Sequence, residues 1–262
     1  MMKNVLVITS GKGGVGKTTS TANIGMALSE MGKKVLLIDT DIGLRNLDVA
    51  LGLENRIVYD LIDVVKGSCR LKQALIEDKR NPDLCLLPAA QMADKDAVST
   101  DEMLQLIGEA SASFDYVLID CPAGIERGFL NAACGAGIAV IVAVPELSSL
   151  RDADRISALL LEMGITERYL LINRYRRDLA KKGELLSARD MQEMLQVPLL
   201  GIIPEDDMIL RLSNFGEMAV HEKRSRAGAA FLRAAERIID GSELLLRKHG
   251  LFTSLFHKGG VA

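Results

Sequence analysis

The eight residues Gly11-Lys12-Gly13-Gly14-Val15-Gly16-Lys17-Thr18 follow directly on an apolar run, Asn4–Thr9, and lead into a stretch of good helix formers ending near Met31. A G-x-x-x-x-G-K-[ST] segment between a strand and a helix wraps phosphate in backbone N–H groups. Lys17 is expected to contact the β- and γ-phosphates, and the Thr18 hydroxyl to ligate Mg²⁺. Together with Thr19 these residues form a phosphate loop, so the chain is expected to bind a nucleotide.

The rest of the chain reads as the fold that such a loop requires. Short apolar runs at Asn4–Thr9, Lys34–Asp39, Leu84–Pro88, Tyr116–Asp120, Ala139–Val144, Tyr169–Asn173 and Leu199–Pro204 are continuous in Val, Ile and Leu rather than alternating. That pattern marks strands covered on both faces, as in a parallel sheet between helices. Helical periodicity occupies Lys17–Met31, Ile57–Lys66, Asp101–Ala112, Glu126–Cys134, Ser149–Met163, Ser187–Leu195 and Ala227–Ile239. Gly32 and Gly164 fit helix C-caps, and Ser187 with Asp190 fits a capping box. The expectation is an α/β class protein with a doubly wound, mostly parallel sheet flanked by helices and its ligand at the carboxyl ends of the strands. Residues 1–241 read as one domain, followed by a short segment of different character over 242–262. A net charge of −3 over 262 residues gives no general pull toward nucleic acid. The four cysteines lack a C-x-x-C pair, so reduced thiols are expected. The first residues read as a strand rather than a signal peptide, and no apolar stretch reaches the length of a spanning helix.

Carboxylates fall at strand ends. Lys34–Asp39 ends in Asp39, with Asp41 just beyond, and Tyr116–Asp120 ends in Asp120. An apolar strand delivering a carboxylate beside a phosphate loop suits Mg²⁺, which keeps several waters and takes few protein ligands. Thr18, Asp39 and Asp120 are therefore the expected metal set, and Asp41 is expected to orient the attacking water. Lys12 is the unusual residue. It cannot easily reach the oxygens that Lys17 meets, but it could reach a phosphate held by a second copy of the chain and act there as an arginine finger does.

The loop resembles the deviant Walker A motif of the ParA–MinD family of ATPases. Further stretches carry the resemblance: Asp39-Thr-Asp-Ile-Gly-Leu-Arg-Asn-Leu-Asp48, Asp120-Cys-Pro-Ala-Gly-Ile-Glu126, Pro145–Arg155 and Gly201-Ile-Ile-Pro-Glu-Asp206. Within the family, the branch that places the bacterial division septum is the most similar. The resemblance implies an ATP-dependent homodimer with Lys12 crossing the interface, and Asn173, Arg174, Pro204, Glu205 and Asp206 around the adenine. It also implies that Glu146 approaches the ribose across the dimer, and that Ser148–Arg155 is the surface for a MinC-like division inhibitor and a MinE-like regulator. A ParA-like DNA-partition or flagellar-placement ATPase is the alternative within the family, and Arg174–Arg177 with Lys181 and Lys182 could give it a basic surface. A P-loop small-molecule kinase or synthetase is the alternative outside it.

The last segment separates these readings. Leu251, Phe252, Leu255 and Phe256 fall on one helical arc, with Leu244 and Leu245 seven residues earlier and Arg247, Lys248 and Lys258 supplying charge. This is the profile of an amphipathic helix lying in a lipid headgroup layer. The expected location is the cytoplasm, with cycling to the inner face of the membrane.

Overall fold

The computed structural model describes residues 1–92 and 97–241. The amphipathic segment containing Leu251, Phe252, Leu255 and Phe256 lies outside the described residues.

The first half of the chain runs β1 (Met2–Thr9), α1 (Lys17–Glu30), β2 (Val35–Asp39), α2 (Leu47–Leu51), α3 (Leu61–Val65), α4 (Leu71–Ala74), β3 (Ile76–Glu77) and β4 (Leu84–Leu87). It continues with α5 (Thr100–Ser113), β5 (Tyr116–Asp120), α6 (Arg127–Ala133), β6 (Ala136–Ala143) and α7 (Leu147–Glu162). The last part is β7 (Glu167–Tyr175), α8 (Arg177–Lys181), α9 (Ala188–Leu195), β8 (Leu199–Pro204), α10 (Asp207–Ser213) and α11 (Arg226–Asp240). The strands form one sheet in the order β3-β4-β2-β5-β1-β6-β7-β8. Every pairing is parallel except that of β3 with β4. The chain passes from β5 on one side of β1 to β6 on the other, which opens a crevice at the carboxyl end of β1.

The unbroken apolar character of the strands follows from this architecture. In β1, Val5 and Val7 belong to a core shared with α5, α6, α7 and α9, while Leu6 and Ile8 belong to a second core beneath α1 and α11. Alternate residues enter different layers, and both layers are dry. Helix α1 is buried nearly all round, and several of its polar side chains turn back onto its own backbone. Ser20 and Thr21 donate to the carbonyls of Gly16 and Lys17, and Asn23 donates to that of Thr19. Gly25 lets α1 lie against β2, because a methyl group there would stand 2.5 Å from Leu37 Cδ2.

Four other features matter for the site. Gly32 and Gly164 have φ of +75° and +82°, the left-handed values that helix C-caps need. Ser187 and Asp190 form their capping box. The helix expected over Ile57–Lys66 forms only over Leu61–Val65, because the Asp60 carboxylate accepts from Ile62 and Asp63 N–H and starts the helix there. Helix α11 begins at the carboxyl edge of the sheet, where Ala227 N–H donates to Asp206, and reaches the opposite edge, where Arg237 donates to the carbonyl of Leu200. No described helix is long and apolar enough to cross a membrane.

Candidate nucleotide site

The loop between β1 and α1 turns on two glycines with left-handed φ, Gly14 at +78° and Gly16 at +91°. Side chains at Gly13 and Gly14 would meet nothing within 4 Å, so the concave side of the loop is open to a ligand. Gly11 is closed in: a Cβ there would lie 2.5–2.7 Å from Asp152 of α7. Gly16 is closed in too, against the Asn173 amide, which donates to the carbonyl of Val15 at 2.8 Å. Asn173 at the end of β7 thus braces the loop from behind. Gly16→Ala is expected to force a side chain into positive φ, at about 1–2 kcal/mol, and to push Asn173 off Val15. ADP affinity measured by calorimetry should fall about tenfold or more; parental affinity would show that the loop does not need this shape.

Where β1 and β5 end side by side, Asp120 collects the polar groups of the loop. Its Oδ1 accepts from Lys17 Nζ at 3.0 Å and from Thr21 Oγ1 at 2.9 Å, and its Oδ2 accepts from Thr18 Oγ1 at 2.6 Å. Lys17 and Asp120 are 8% and 1% exposed, so the ion pair is buried. Burial alone would lower the Lys17 pKa, but the charge and hydrogen bond of Asp120 outweigh it and hold the ammonium above its ordinary 10.5. Lys17 is therefore a fixed cation at the open mouth of the loop. Thr18 and Asp120 are hard oxygen donors in contact beside it, a pairing that fits Mg²⁺ carried in with phosphate oxygens and water. Thr21 was not anticipated from sequence; it sits one turn beyond Lys17, on the same face of α1.

Asp39 has a different environment. It pairs in register with Asp120 but is fully buried, and both its oxygens face backbone. Oδ1 accepts from Asp41 N–H at 2.9 Å and Oδ2 from Leu47 N–H at 3.1 Å. Burial first, and then the charge of Asp120, push its carboxyl well above the usual carboxylate range. Asp39 shares no hydrogen bond with Thr18 or Asp120, the residues the sequence reading grouped with it: each of its oxygens accepts from one backbone amide. Asp41 lies on the loop that follows, and Thr40 ties this loop to β5 through two bonds to the carbonyl of Asp120, from N–H at 3.1 Å and Oγ1 at 2.7 Å. The Cys121 thiol, next along β5, is completely buried and pushed up to about 12 by that burial, so it stays protonated at neutral pH.

A cleft of about 400 Å³ continues from the loop. Lys12, Gly14, Pro145, Glu146, Arg174 and Glu205 line it, and Leu179 and Leu185 from the α8 region, which sequence reading missed, supply apolar wall. Arg174 takes a left-handed φ of 51° at its position. Pro204 ends β8 immediately before Glu205. Asp206 has its carboxylate committed elsewhere, accepting from Met208 N–H, Ser225 Oγ and Ala227 N–H. Burial would raise its pKa, but these bonds hold it below the ordinary value. Lys12 and Glu146, expected to act across a dimer, meet within one chain: Nζ lies 3.2 Å from Oε2, and both side chains are about half exposed.

The comparisons agree with this geometry. The family model for the CobQ/CobB/MinD/ParA nucleotide-binding domain matches residues 6–220. The septum site-determining protein MinD of Bacillus subtilis is 51% identical over 243 residues, covering 92% of this chain and 91% of its own. The solved MinC:MinD cell division complex of Aquifex aeolicus superposes with a TM-score of 0.86 at 46% identity, covering 91% of this chain and 96% of that one. MinD of Pyrococcus horikoshii, solved with Mg-ADP, gives a TM-score of 0.82 at 31% identity, covering 92% and 98%. A buried cation, a hydroxyl–carboxylate pair and an open loop of amides suit a nucleotide carried with Mg²⁺, and the fold around them is that of these relatives. The chain belongs to the CobQ/CobB/MinD/ParA nucleotide-binding family and is a P-loop ATPase that works on ATP with Mg²⁺.

Proposed function

We propose that this ATPase is a molecular switch that places the division septum, dimerising on ATP, attaching to the inner face of the membrane while dimeric and leaving it after hydrolysis. Likeness to septum site-determining proteins over about nine-tenths of both chains supports the cellular role. The observation that carries the mechanism is the placement of Lys12. It stands at the lip of the nucleotide cleft, where its ion pair among the described residues is an exposed one, worth at most about 1 kcal/mol. A cation so weakly retained can be exchanged to a phosphate on a second protomer, where Lys17 already covers the near side. Asp41 then orients the attacking water. Closing two clefts face to face would bring Lys12 and Glu146 of each protomer to the other's nucleotide.

Helix α7 offers the partner surface. Its first turn leaves Leu147 62% exposed, and Ser148, Arg151, Asp154 and Arg155 face solvent, while Leu150, Ala153 and Ile156 bury the other side. A MinC-like division inhibitor and a MinE-like regulator are the partners proposed for it. Residues 242–262 are proposed as the lipid-binding unit. Burying Leu251, Phe252, Leu255 and Phe256 gains about 1.5–3 kcal/mol each when complete, and each basic residue adds about 1 kcal/mol at anionic lipid. The ordering cost of a short helix offsets most of that gain. One tail holds weakly; two on a dimer gain an effective-concentration factor of about 10²–10⁴.

Vesicle co-sedimentation with anionic lipid is the test. The full chain should pellet with ATP and stay in the supernatant with ADP, and the chain lacking the residues after Leu246 should stay in the supernatant with either nucleotide. Pelleting that ignores the nucleotide would end the switch reading. Duplex DNA binding with ATP and no vesicle binding would favour the partition alternative, for which the exposed Arg176, Arg177, Lys181 and Lys182 around α8 would be the surface.

A further inference from the structure

We infer that Asp39 is a positioning residue for hydrolysis, whose carboxylate clamps both ends of the loop that carries Asp41. The two strand-end carboxylates divide their work. Asp120 gives its oxygens to Lys17, Thr18 and Thr21, all on the phosphate side. Asp39, one strand over in the same register, gives one oxygen to the amide of Asp41 and the other to the amide of Leu47, the first residue of α2. A single buried carboxylate therefore spans the 40–47 loop, gripping it on either side of the residues that bulge toward solvent. No lysine or arginine among the described residues forms an ion pair with it, and its oxygens are engaged by the two N–H groups.

The loop between the grips would otherwise be loosely specified. Gly43 and Arg45 both have left-handed φ, +93° and +41°, and an L-residue such as Arg45 rarely adopts that value unaided. Arg45 is compensated by an ion pair at 2.8 Å with Asp48, which is 1% exposed. Three further bonds finish the frame: Gly43 N–H to the carbonyl of Ala90 at 2.9 Å, and Thr40 twice to the carbonyl of Asp120. The loop is thus fixed from the core side by Asp39 and from the phosphate side through Thr40. Asp41 lies where the two constraints meet, so its position relative to the γ-phosphate depends on both. A carboxylate in this role must accept twice, which is why glutamine-like or asparagine-like groups are poor substitutes: an amide presents one acceptor and sets an N–H₂ against the second N–H.

This inference rests on the proposed role of Asp41. It differs from a metal role for Asp39, and the two separate experimentally. Asp39→Asn keeps the size of the side chain and breaks one grip. Steady-state hydrolysis by the full chain, with ATP and Mg²⁺ each titrated, should show kcat reduced about 10–100-fold, as for a reacting group displaced by about 1 Å. The affinity for ADP and the Mg²⁺ concentration giving half the maximal rate should stay within about threefold of the parent. Amide hydrogen exchange in the variant should speed up over residues 41–47. A rate restored by raising Mg²⁺ would make Asp39 a metal group and overturn the inference, and so would an unchanged kcat. Should the variant fail to fold, the parent decides: its Asp41 and Leu47 amides should exchange more slowly than that of exposed Asn46, and equal rates would sink the clamp. Asp41→Ala distinguishes the underlying reading. If it leaves kcat intact while Asp39→Asn lowers it, the hydrolytic role of Asp41 falls and the clamp on the loop stands.

Discussion

Lys12→Ala is expected to lower partner-stimulated ATP hydrolysis by about 10³-fold, the lower end of what a cation supplied across an interface contributes to phosphoryl transfer. The same change should scarcely disturb the isolated chain. Lys12 is about half exposed and its bond to Glu146 is solvent-screened, so its loss costs at most about 1 kcal/mol of stability. Lys17, Thr18 and Asp120 are untouched, and ADP affinity should remain within a few-fold. Light scattering with ATP should report dimers for the parent and monomers for the variant. The contrast between retained binding and lost turnover is the signature, because a lysine acting on its own nucleotide would alter both. Stimulated turnover at the parental rate would remove the role in trans.

Asp120→Ala should have a large effect of another kind. Lys17 and Asp120 are both nearly inaccessible, and removing one partner of a buried pair leaves an uncompensated charge. Thr18 loses its acceptor in the same step, and Thr21 is left with the Lys17 carbonyl. The nucleotide-free protein should be destabilised by about 3–5 kcal/mol, read as a lower midpoint in urea with an unchanged slope. The pH dependence has a definite sign. The folded pKa of Lys17 is raised above 10.5, so the stabilisation from the pair is complete below that pH and disappears as the pH climbs through the raised value. On the alkaline side, parent and variant should therefore converge only once the pH passes that raised value. A penalty that shrinks between pH 6 and 9 would mean another group carries it.

The parts of this architecture that were legible in the sequence are those in which local chemistry and tertiary role coincide. The phosphate loop declares itself because glycine, lysine and threonine at fixed spacing are needed for one task, and β1, β2 and β5 because burial on both faces demands unbroken apolar residues. Gly32 and Gly164 end helices where only a left-handed residue fits. Short elements escaped. Strand β3 has two residues, Ile76 and Glu77, which no periodicity can mark, and α2, α4 and α8 have five residues or fewer. They are held by side chains outside themselves, which no periodicity shows: Leu47 by Asp39, and the turn after β3 by Arg80, which binds Asp78 and the carbonyls of Leu51 and of Gly216, far along the chain. The site shows the same limit. Asp39 and Asp120 look alike at the ends of two apolar strands, and only the fold reveals that Asp120 faces the side chains of the glycine-rich loop and α1 while Asp39 faces backbone. The meeting of Lys12 with Glu146, 134 residues apart, likewise needs β6 beside β1 before it can be seen.

The uniform direction of the strands has a spatial consequence. Everything that handles phosphate gathers at the carboxyl edge, while α11, spanning the molecule from Asp206 to Leu200, delivers the chain at Gly241 to the far edge. The phosphate loop and the last described residue thus lie at opposite edges of the sheet. If residues 242–262 hold lipid as proposed, they start from Gly241, at the other end of the strands from the loop that takes nucleotide, so a ligand in that loop has to signal to them through the body of the sheet and α11 rather than by touch.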